Sequence, residues 1–336
     1  MNSTKLCILR KQPLISIITV NYNGLDLTVE LLNSIRQSTY SNLEIFVVDN
    51  ASRENPQLFF EKNYPEICFI RSDKNLGFAG GNNLAVAQAK GEYLFFINND
   101  AEITGGCLDR LVATFENNIK VGMVSPLICY FNESKNLDAD LIQYAGMTQV
   151  NAWTARNKTI GEKELDKGQF FESQKTAYGH GAAMMVSREV IEKVGIMFND
   201  FFLYYEELDW CERIRKAGFD IWVEPQAKVY HKESATVGTM STLKTYYINR
   251  NRVYFMRRNF DGLSVLGFTL FLTFATLPKN LLMFLLRGHF DHAKVFLKAI
   301  FWNIKDAFQS IFRVEKSETI LDIKKINVPK RERVNH

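Results

Sequence analysis

The sequence predicts an α/β fold: a mostly parallel sheet with flanking helices on both faces, followed by a helical C-terminal region. Three observations carry this expectation. Short unbroken apolar runs alternate with helically spaced segments through the first 125 residues, the pattern of strands buried on both faces of a parallel sheet. Several of these runs end in polar clusters. Beyond residue 260 the chain turns to long apolar and basic amphipathic stretches.

Leu14–Val20, rich in isoleucine and bounded by Pro13 and Asn21-Tyr22-Asn23-Gly24, reads as a buried strand closed by a turn. Leu25–Ser38 has helical spacing at Leu27, Leu31, Leu32 and Ile35. Leu43–Val48 is a second strand, ending at Asp49-Asn50, and Ile67–Ile70 a third. Leu84–Ala89 ends a helix, Tyr93–Ile97 is a fourth strand ending at Asn98-Asn99-Asp100, and Val121–Val124 is a fifth. Ligands of open α/β sheets sit beyond the carboxyl ends of the strands, so polar residues gathered there are the first functional signal. Lys135–Lys175 is polar and turn-rich and reads as loops with short strands. Tyr178–Val186 reads as a strand, Ser187 as the N-cap of a helix over 188–194, and Glu206–Ala217 as another helix.

Composition narrows the class. With 46% hydrophobic and 23% charged residues, 336 residues can bury a sizeable core, which excludes a disordered or fibrous protein. Cys7, Cys68, Cys107, Cys129 and Cys211 are scattered and contain no CxxC pair, which argues against a disulfide framework or a zinc finger. Met1–Gln12 has no apolar run of the secretory type, so the expected setting is a reducing cytosol. The net charge of +4 is unevenly spread: residues 240–336 carry 17 Lys/Arg and 7 Asp/Glu, whereas residues 1–239 carry 24 and 30. A basic C-terminal quarter on an acidic body suggests a polyanionic surface, either nucleic acid or an anionic membrane leaflet.

Leu263–Leu286 is 24 residues long with one charge, Lys279, but Pro278-Lys279-Asn280 interrupts it. A spanning helix needs about 20 apolar residues. Three readings stand: a kinked or re-entrant membrane helix, a helical hairpin in the interface, or buried core helices. Next, Ala293, Phe296, Leu297, Ile300, Phe301, Ile304, Phe308, Ile311 and Phe312 form one face, with Lys294, Lys298, Lys305 and Gln309 opposite. Large aromatics facing away from lysines suit a membrane interface, and a helix packed on its own domain is the competing reading. With the tail (Lys324, Lys325, Lys330, Arg331, Arg333), peripheral attachment to a cytoplasmic leaflet is preferred over a span. Phe and Leu dominate that end as much as Lys, so no nucleic acid is expected.

Six blocks occur in order: Ser16-Ile17-Ile18-Thr19-Val20-Asn21-Tyr22-Asn23, Val47-Val48-Asp49-Asn50-Ala51-Ser52, Asn75-Leu76-Gly77-Phe78-Ala79-Gly80-Gly81-Asn82-Asn83, Phe96-Ile97-Asn98-Asn99-Asp100, Phe201 to Arg213, and Ala227-Lys228-Val229-Tyr230-His231. Over roughly 14–260 the chain thereby resembles the family 2 glycosyltransferases, most nearly their bacterial rhamnosyltransferase-like branch. The resemblance implies a GT-A-type, Rossmann-like fold holding a nucleoside-diphosphate sugar at the carboxyl edge of the sheet. It divides the chain into an extension (1–13), a nucleotide-sugar half (14–125), an acceptor and catalytic half (126–260) and a basic helical region (261–336).

The resemblance also implies roles. Asp49 matches the carboxylate that accepts the base N–H, which favours UDP or dTDP donors; the alternative is an Asx turn closing a strand. Asn21 and Tyr22 border the base, with a core aromatic as the other reading of Tyr22. Asn75, Gly77, Gly80 and Asn82 belong to a glycine-rich turn whose backbone can approach phosphate or ribose. Asn98-Asn99-Asp100 matches the family's metal-binding element, with Asn99 on the donor and Asp100 binding Mg²⁺ or Mn²⁺. His231 matches a histidine on the metal or diphosphate. Glu206-Glu207 matches a Glu-Asp pair at a helix start. Glu207 takes the base position of an inverting transfer, one methylene longer than the usual Asp, and Glu206 or Asp209 could share the role. Plain helix capping by acidic residues is the rival reading, and Asp209 with Arg213 reads first as an i,i+4 ion pair. His180 is assigned to the acceptor. Arg250 is assigned to acceptor or donor phosphates, or else to a solvated basic helix.

Together these imply a metal-dependent inverting transferase moving rhamnose or another hexose from a UDP- or dTDP-sugar. The acceptor is a glycan or polyprenyl-diphosphate-linked glycan, met in surface polysaccharide synthesis at the cytoplasmic face of a bacterial inner membrane. The alternative is a GT-A-fold nucleotide-sugar-binding module with weak chemistry. A dinucleotide dehydrogenase is excluded, because Asn21-Tyr22-Asn23-Gly24 stands where GxGxxG belongs.

Overall fold

The computed structural model describes residues 12–131, 139–232 and 241–310. Its elements, in order, are β1 (Ile15–Asn21), α1 (Leu25–Arg36), β2 (Leu43–Asp49), α2 (Gln57–Asn63), β3 (Ile67–Arg71), α3 (Gly77–Val86), β4 (Tyr93–Ile97), β5 (Ala101–Ile103), α4 (Cys107–Asn117) and β6 (Val121–Tyr130). There follow β7 (Ile142–Tyr144), β8 (Gln174–Lys175), β9 (Ala183–Ser187), α5 (Arg188–Val194), α6 (Glu206–Lys216), β10 (Asp220–His231), α7 (Thr242–Asn259), α8 (Gly262–Phe271), α9 (Leu277–Leu286) and α10 (Phe290–Ser310).

Neighbouring residues along each central strand enter opposite clusters. Ile18, Phe46, Leu94 and Phe96 join one core face, and Ile17, Ile45, Val47 and Phe95 the other. Both faces are therefore covered, which is why these strands read as unbroken apolar runs. The strand order is β3-β2-β1-β4-β9-β6-β10-β5, with β7 on β6 and β8 on β10. β3, β2, β1 and β4 are parallel, and their register aligns Asn21, Asp49 and Arg71 at one rim.

The second half of the sheet is mixed. β9 runs antiparallel to both β4 and β6, pairing Ala183 with Ile97. It starts at the same rim where β4 ends and so brings His180 and Gly181 there. β5 likewise starts at that rim and pairs Ala101 with His231. The strand expected over Tyr178–Val186 is shortened to Ala183–Ser187, because its leading amides are used elsewhere. Gly179 N–H donates to Cys211 Sγ, His180 N–H to Ser125 Oγ and Ala182 N–H to His180 Nδ1. Ser187 caps α5 as expected, accepting from Val190 N–H.

At the C-terminal end, α7 and α10 lie side by side and run in the same direction. Thr245 Oγ1 meets His292 Nδ1 (2.8 Å), Asn303 Nδ2 donates to Arg250 O (2.9 Å), and Arg257 pairs with Asp306 (3.1 Å). The apolar face expected on α10 is therefore split. Ala293 and Phe296 are buried, whereas Phe301, Ile304 and Phe308 are exposed, and Ile311 and Phe312 lie outside the described residues. Gly262–Leu286 forms 25 residues of helix with a mean hydropathy of 1.5, long and apolar enough to cross a membrane. Its middle, Leu272–Thr276, is a π-helical turn just ahead of Pro278. That is where the ladder must adjust to a residue with no N–H. Gly267 packs on Trp153, but from Leu272 to Leu286 nothing is buried.

α3 begins at Gly77, whose φ is +72°. A β-carbon there would lie 2.0 Å from Phe202 O, the carbonyl that accepts from Phe78 N–H. Gly77→Ala should therefore cost more than the ~1–2 kcal/mol of a left-handed non-glycine residue alone. Urea denaturation should register the loss, and an unchanged midpoint would refute this tight contact.

Candidate active site

A cleft of about 520 Å³ opens at the carboxyl rim. It is lined by Tyr22, Asn75, Gly77, Asn99 and Asp100 from the first half, and by His180, Glu206, Glu207 and His231 from the second. Asn21, Asp49, Gly80, Asn82 and Arg250 do not line it.

Asp49 is fully buried. Its Oδ1 accepts from Asn21 Nδ2 (2.8 Å), and its Oδ2 from Ser52 N–H (3.2 Å) and the Arg71 guanidinium. Asn21 Oδ1 in turn accepts from Gly24 N–H and Thr28 Oγ1. These residues form a closed network behind the cleft wall, whereas the Tyr22 ring, 38% exposed, stands on it. Arg71, at the end of the third apolar strand, is the partner that sequence reasoning missed. A lone cation in register with a strand-terminal carboxylate was the available signal.

Only the start of the glycine-rich segment faces the cleft. Asn75 Oδ1 accepts from Gly77 N–H (2.8 Å) and Asn50 Nδ2 (3.0 Å). Gly80 instead abuts Leu76, and Asn82 donates back to Phe78 O within α3. Asn99 lines the cleft while donating to Gly24 O and Thr28 Oγ1, so it also ties β4 to α1.

The antiparallel pairing of β5 on β10 places Asp100 Oδ1 3.1 Å from His231 Nε2. His231 Nδ1 lies 2.9 Å from Gln143 Oε1, which fixes the proton on Nδ1 and leaves a lone pair on Nε2. Asn98 Nδ2 approaches that nitrogen at 3.3 Å. Asp100 Oδ1 is buried with no hydrogen-bond donor among the described residues. Two acceptors facing each other fit a divalent cation: ligands about 2.1 Å from an octahedral ion stand about 3 Å apart along an edge. Gln143 comes from a short strand inside a polar stretch and carries no sequence signal. The other acidic cluster, Asp140 and Asp166 beside Cys129, is occupied by Lys228 Nζ at 2.7 and 2.8 Å.

Glu206 and Glu207 open α6. Burial pushes Glu206 well above the usual carboxylate range, and the neighbouring Glu207 adds to it. One Glu206 oxygen, Oε2, is buried without a partner among the described residues. Burial also raises Glu207 to about 7, against the amides of the first helical turn. The Glu207 carboxyl lies against Gly181. Burial pushes His180 down to about 3. Its Nδ1 accepts from Ala182 N–H, so the ring is neutral and Nε2–H is the free donor. Asp209 pairs with Arg213 and Arg258, outside the cleft.

Arg250, expected to meet phosphates, is buried. It donates to Phe201 O (2.9 Å) and Asp200 O and stacks on Tyr247 and Trp302.

The profile of Glycosyl transferase family 2 matches residues 16–195, more than half of the chain. Protein y4gI of Sinorhizobium fredii is 28% identical over 257 residues, 73% of this chain and 27% of that protein. The low-salt glycan biosynthesis hexosyltransferase Agl10 of Haloferax volcanii is 27% identical over 62% of this chain and 63% of its own length. The chain thus spans less than two thirds of either relative. The N-acetylglucosaminyl-diphospho-decaprenol L-rhamnosyltransferase of Mycobacterium tuberculosis is 22% identical over 66% of this chain and 77% of that enzyme. Among solved structures, mannosyltransferase PcManGT of Pyrobaculum calidifontis, in complex with GDP-Man and Mn²⁺, matches with a TM-score of 0.54. The match covers 86% of this chain and 74% of that one at 17% identity. GalNAc-T7 with UDP, GalNAc and Mn²⁺ matches at 0.55, over 70% and 48%, also at 17%. These likenesses establish a GT-A-like α/β fold. The chain belongs to glycosyl transferase family 2 and carries the glycosyl transferase domain of that family.

Proposed function

We propose that this protein is a metal-dependent, inverting glycosyltransferase that moves a hexose, rhamnose among them, from a UDP- or dTDP-sugar to a glycan or polyprenyl-diphosphate-linked glycan. One observation carries the reading: a half-buried carboxylate with a raised pKa, Glu207, shares one cleft with Asp100, whose Oδ1 faces His231 and has no hydrogen-bond donor among the described residues. The rhamnosyltransferase relative, whose name states a diphospho-decaprenol acceptor, supports the lipid-linked acceptor and the rhamnosyltransferase-like branch. The two solved relatives with Mn²⁺ support Mg²⁺ or Mn²⁺ at Asp100 and His231. A cation held there neutralises charge on the departing diphosphate.

The chain's own residues do the remainder. Glu207 takes the proton of the acceptor hydroxyl as that oxygen attacks the anomeric carbon and the bond to the diphosphate oxygen breaks on the opposite face. His180 Nε2–H orients an acceptor oxygen. Glu206, held protonated by burial and by its neighbour, keeps a second negative charge away from the base.

Asp100→Ala should abolish Mn²⁺-dependent UDP binding in calorimetry. Equal affinity with and without Mn²⁺ in wild type would remove the metal role. Glu207→Gln should retain UDP binding and lose transfer by about 100-fold or more. Because burial raises Glu207 to about 7, transfer should increase as the pH rises through about 7 and the base ionises. A rate flat between pH 5 and 8 would move the base elsewhere. The sign for stability is opposite. A carboxyl raised from 4.5 to about 7 on folding stabilises the fold below pH 4.5, and the contribution is lost as pH rises to about 7.

The reading also locates the protein peripherally on the cytoplasmic face of a bacterial inner membrane. Exposed Leu263, Leu266, Leu270 and Phe274 on α8 and the turn after it, together with Phe301, Ile304 and Phe308 beside exposed Lys294 and Lys305, support it. Replacing Phe301, Ile304 and Phe308 with Ser should reduce co-sedimentation with vesicles containing anionic lipid. Undiminished binding would shift attachment to α8 and α9.

A further inference from the structure

The loop before the base is held in an unfavourable backbone shape. Phe202, Tyr204 and Tyr205 have φ of 63°, 69° and 75°, a region that non-glycine residues occupy only when their surroundings enforce it. Every carbonyl from Asp200 to Tyr204 has a donor aimed at it. Arg250 donates to Asp200 O and Phe201 O, Phe78 N–H to Phe202 O, and Asn251 Nδ2 lies 2.8 Å from the carbonyls of Phe201, Leu203 and Tyr204. Asn251 is fully buried. Its orientation is set by Arg250, whose Nε–H donates to Asn251 Oδ1 (2.7 Å) and so leaves the amide nitrogen facing the loop. Arg250 is backed in turn by α10. Trp302 stacks on the guanidinium at 4.6 Å, and Asn303 donates to Arg250 O.

We propose that Arg250 and Asn251 are positioning residues that hold the left-handed loop so that Glu207 projects into the cleft, and that α10 is part of this support. Glu207 is three residues beyond the last carbonyl these side chains anchor, Tyr204 O, so any relaxation of the loop moves the carboxylate directly. The proposal rests on Glu207 as the base.

The test uses the full chain carrying Asn251→Asp, which keeps the shape but cannot donate, and Arg250→Lys, which keeps the charge but loses the fork. Glu207→Gln is the control. Nucleoside diphosphate release is followed from UDP-glucose, UDP-N-acetylglucosamine and dTDP-rhamnose with Mn²⁺. Amide hydrogen exchange is measured on peptides covering 199–207. Asn251→Asp should lower kcat by about 100-fold with UDP affinity within threefold of wild type. The acid limb of its pH profile should move down by about one unit as Glu207 gains water, and exchange at 199–207 should accelerate. Arg250→Lys should act in the same direction more weakly, and it carries the test if Asn251→Asp does not fold. Unchanged exchange in a folded variant, or an unchanged kcat and acid limb, overturns the proposal. Full turnover by Glu207→Gln overturns the base instead, and leaves the exchange result to decide whether the pair holds the loop.

Discussion

Three carboxylates in this cleft have no lysine or arginine ion pair among the described residues, and the rest of the site is arranged around that imbalance. Elsewhere in the described residues Asp49 is matched by Arg71, Asp209 by Arg213 and Arg258, and Glu212 by Arg215, while buried Glu224 accepts from the Thr114 and Ser173 hydroxyls and Gln226 N–H. Asp100 faces only a histidine lone pair, and Glu206 and Glu207 have no ion pair within the described residues. A buried carboxylate without a cation must accept enough hydrogen bonds, be protonated, or meet its charge from a ligand. The site divides these options. The glutamates sit where burial holds their protons to higher pH, and Asp100 sits where a cation can reach it.

That division follows from strand direction. Parallel strands deliver their carboxyl ends to one rim and provide Tyr22, Asn99 and Asp100. Antiparallel β9 and β5 start at the same rim and bring segments from distant parts of the chain beside them. His231 meets Asp100 because β10 ends where β5 begins. Gly181 meets Glu207 because the amides of Gly179, His180 and Ala182 bond to side chains rather than to a neighbouring strand.

Much of this was legible in the sequence, and the gaps have physical causes. The parallel half was readable because double burial produces apolar runs and strand ends must be polar. The mixed half was not, since antiparallel insertion of β9 between β4 and β6 is a non-local choice that periodicity does not encode. Asp49 was correctly placed at a strand end, but its enclosure by Asn21, Ser52 and Arg71 depends on register across three strands. Arg250 was identifiable as a guanidinium able to engage oxygens. The oxygens it engages are carbonyls of its own chain, about fifty residues away.

The α10 face illustrates the limit most clearly. A lipid surface and a neighbouring helix both select apolar residues at 3–4 spacing, so hydrophobicity alone cannot separate them. The exception within the stripe is Asn303, which is buried and donates to Arg250 O and Ala299 O. The bond to Ala299 O lies within the helix, but an amide facing hydrocarbon would forfeit the bond to Arg250 O, at a cost of about 1–3 kcal/mol. A carboxamide within an apolar face therefore marks the side that meets protein, and Phe301, Ile304 and Phe308 lie on the side turned away from it.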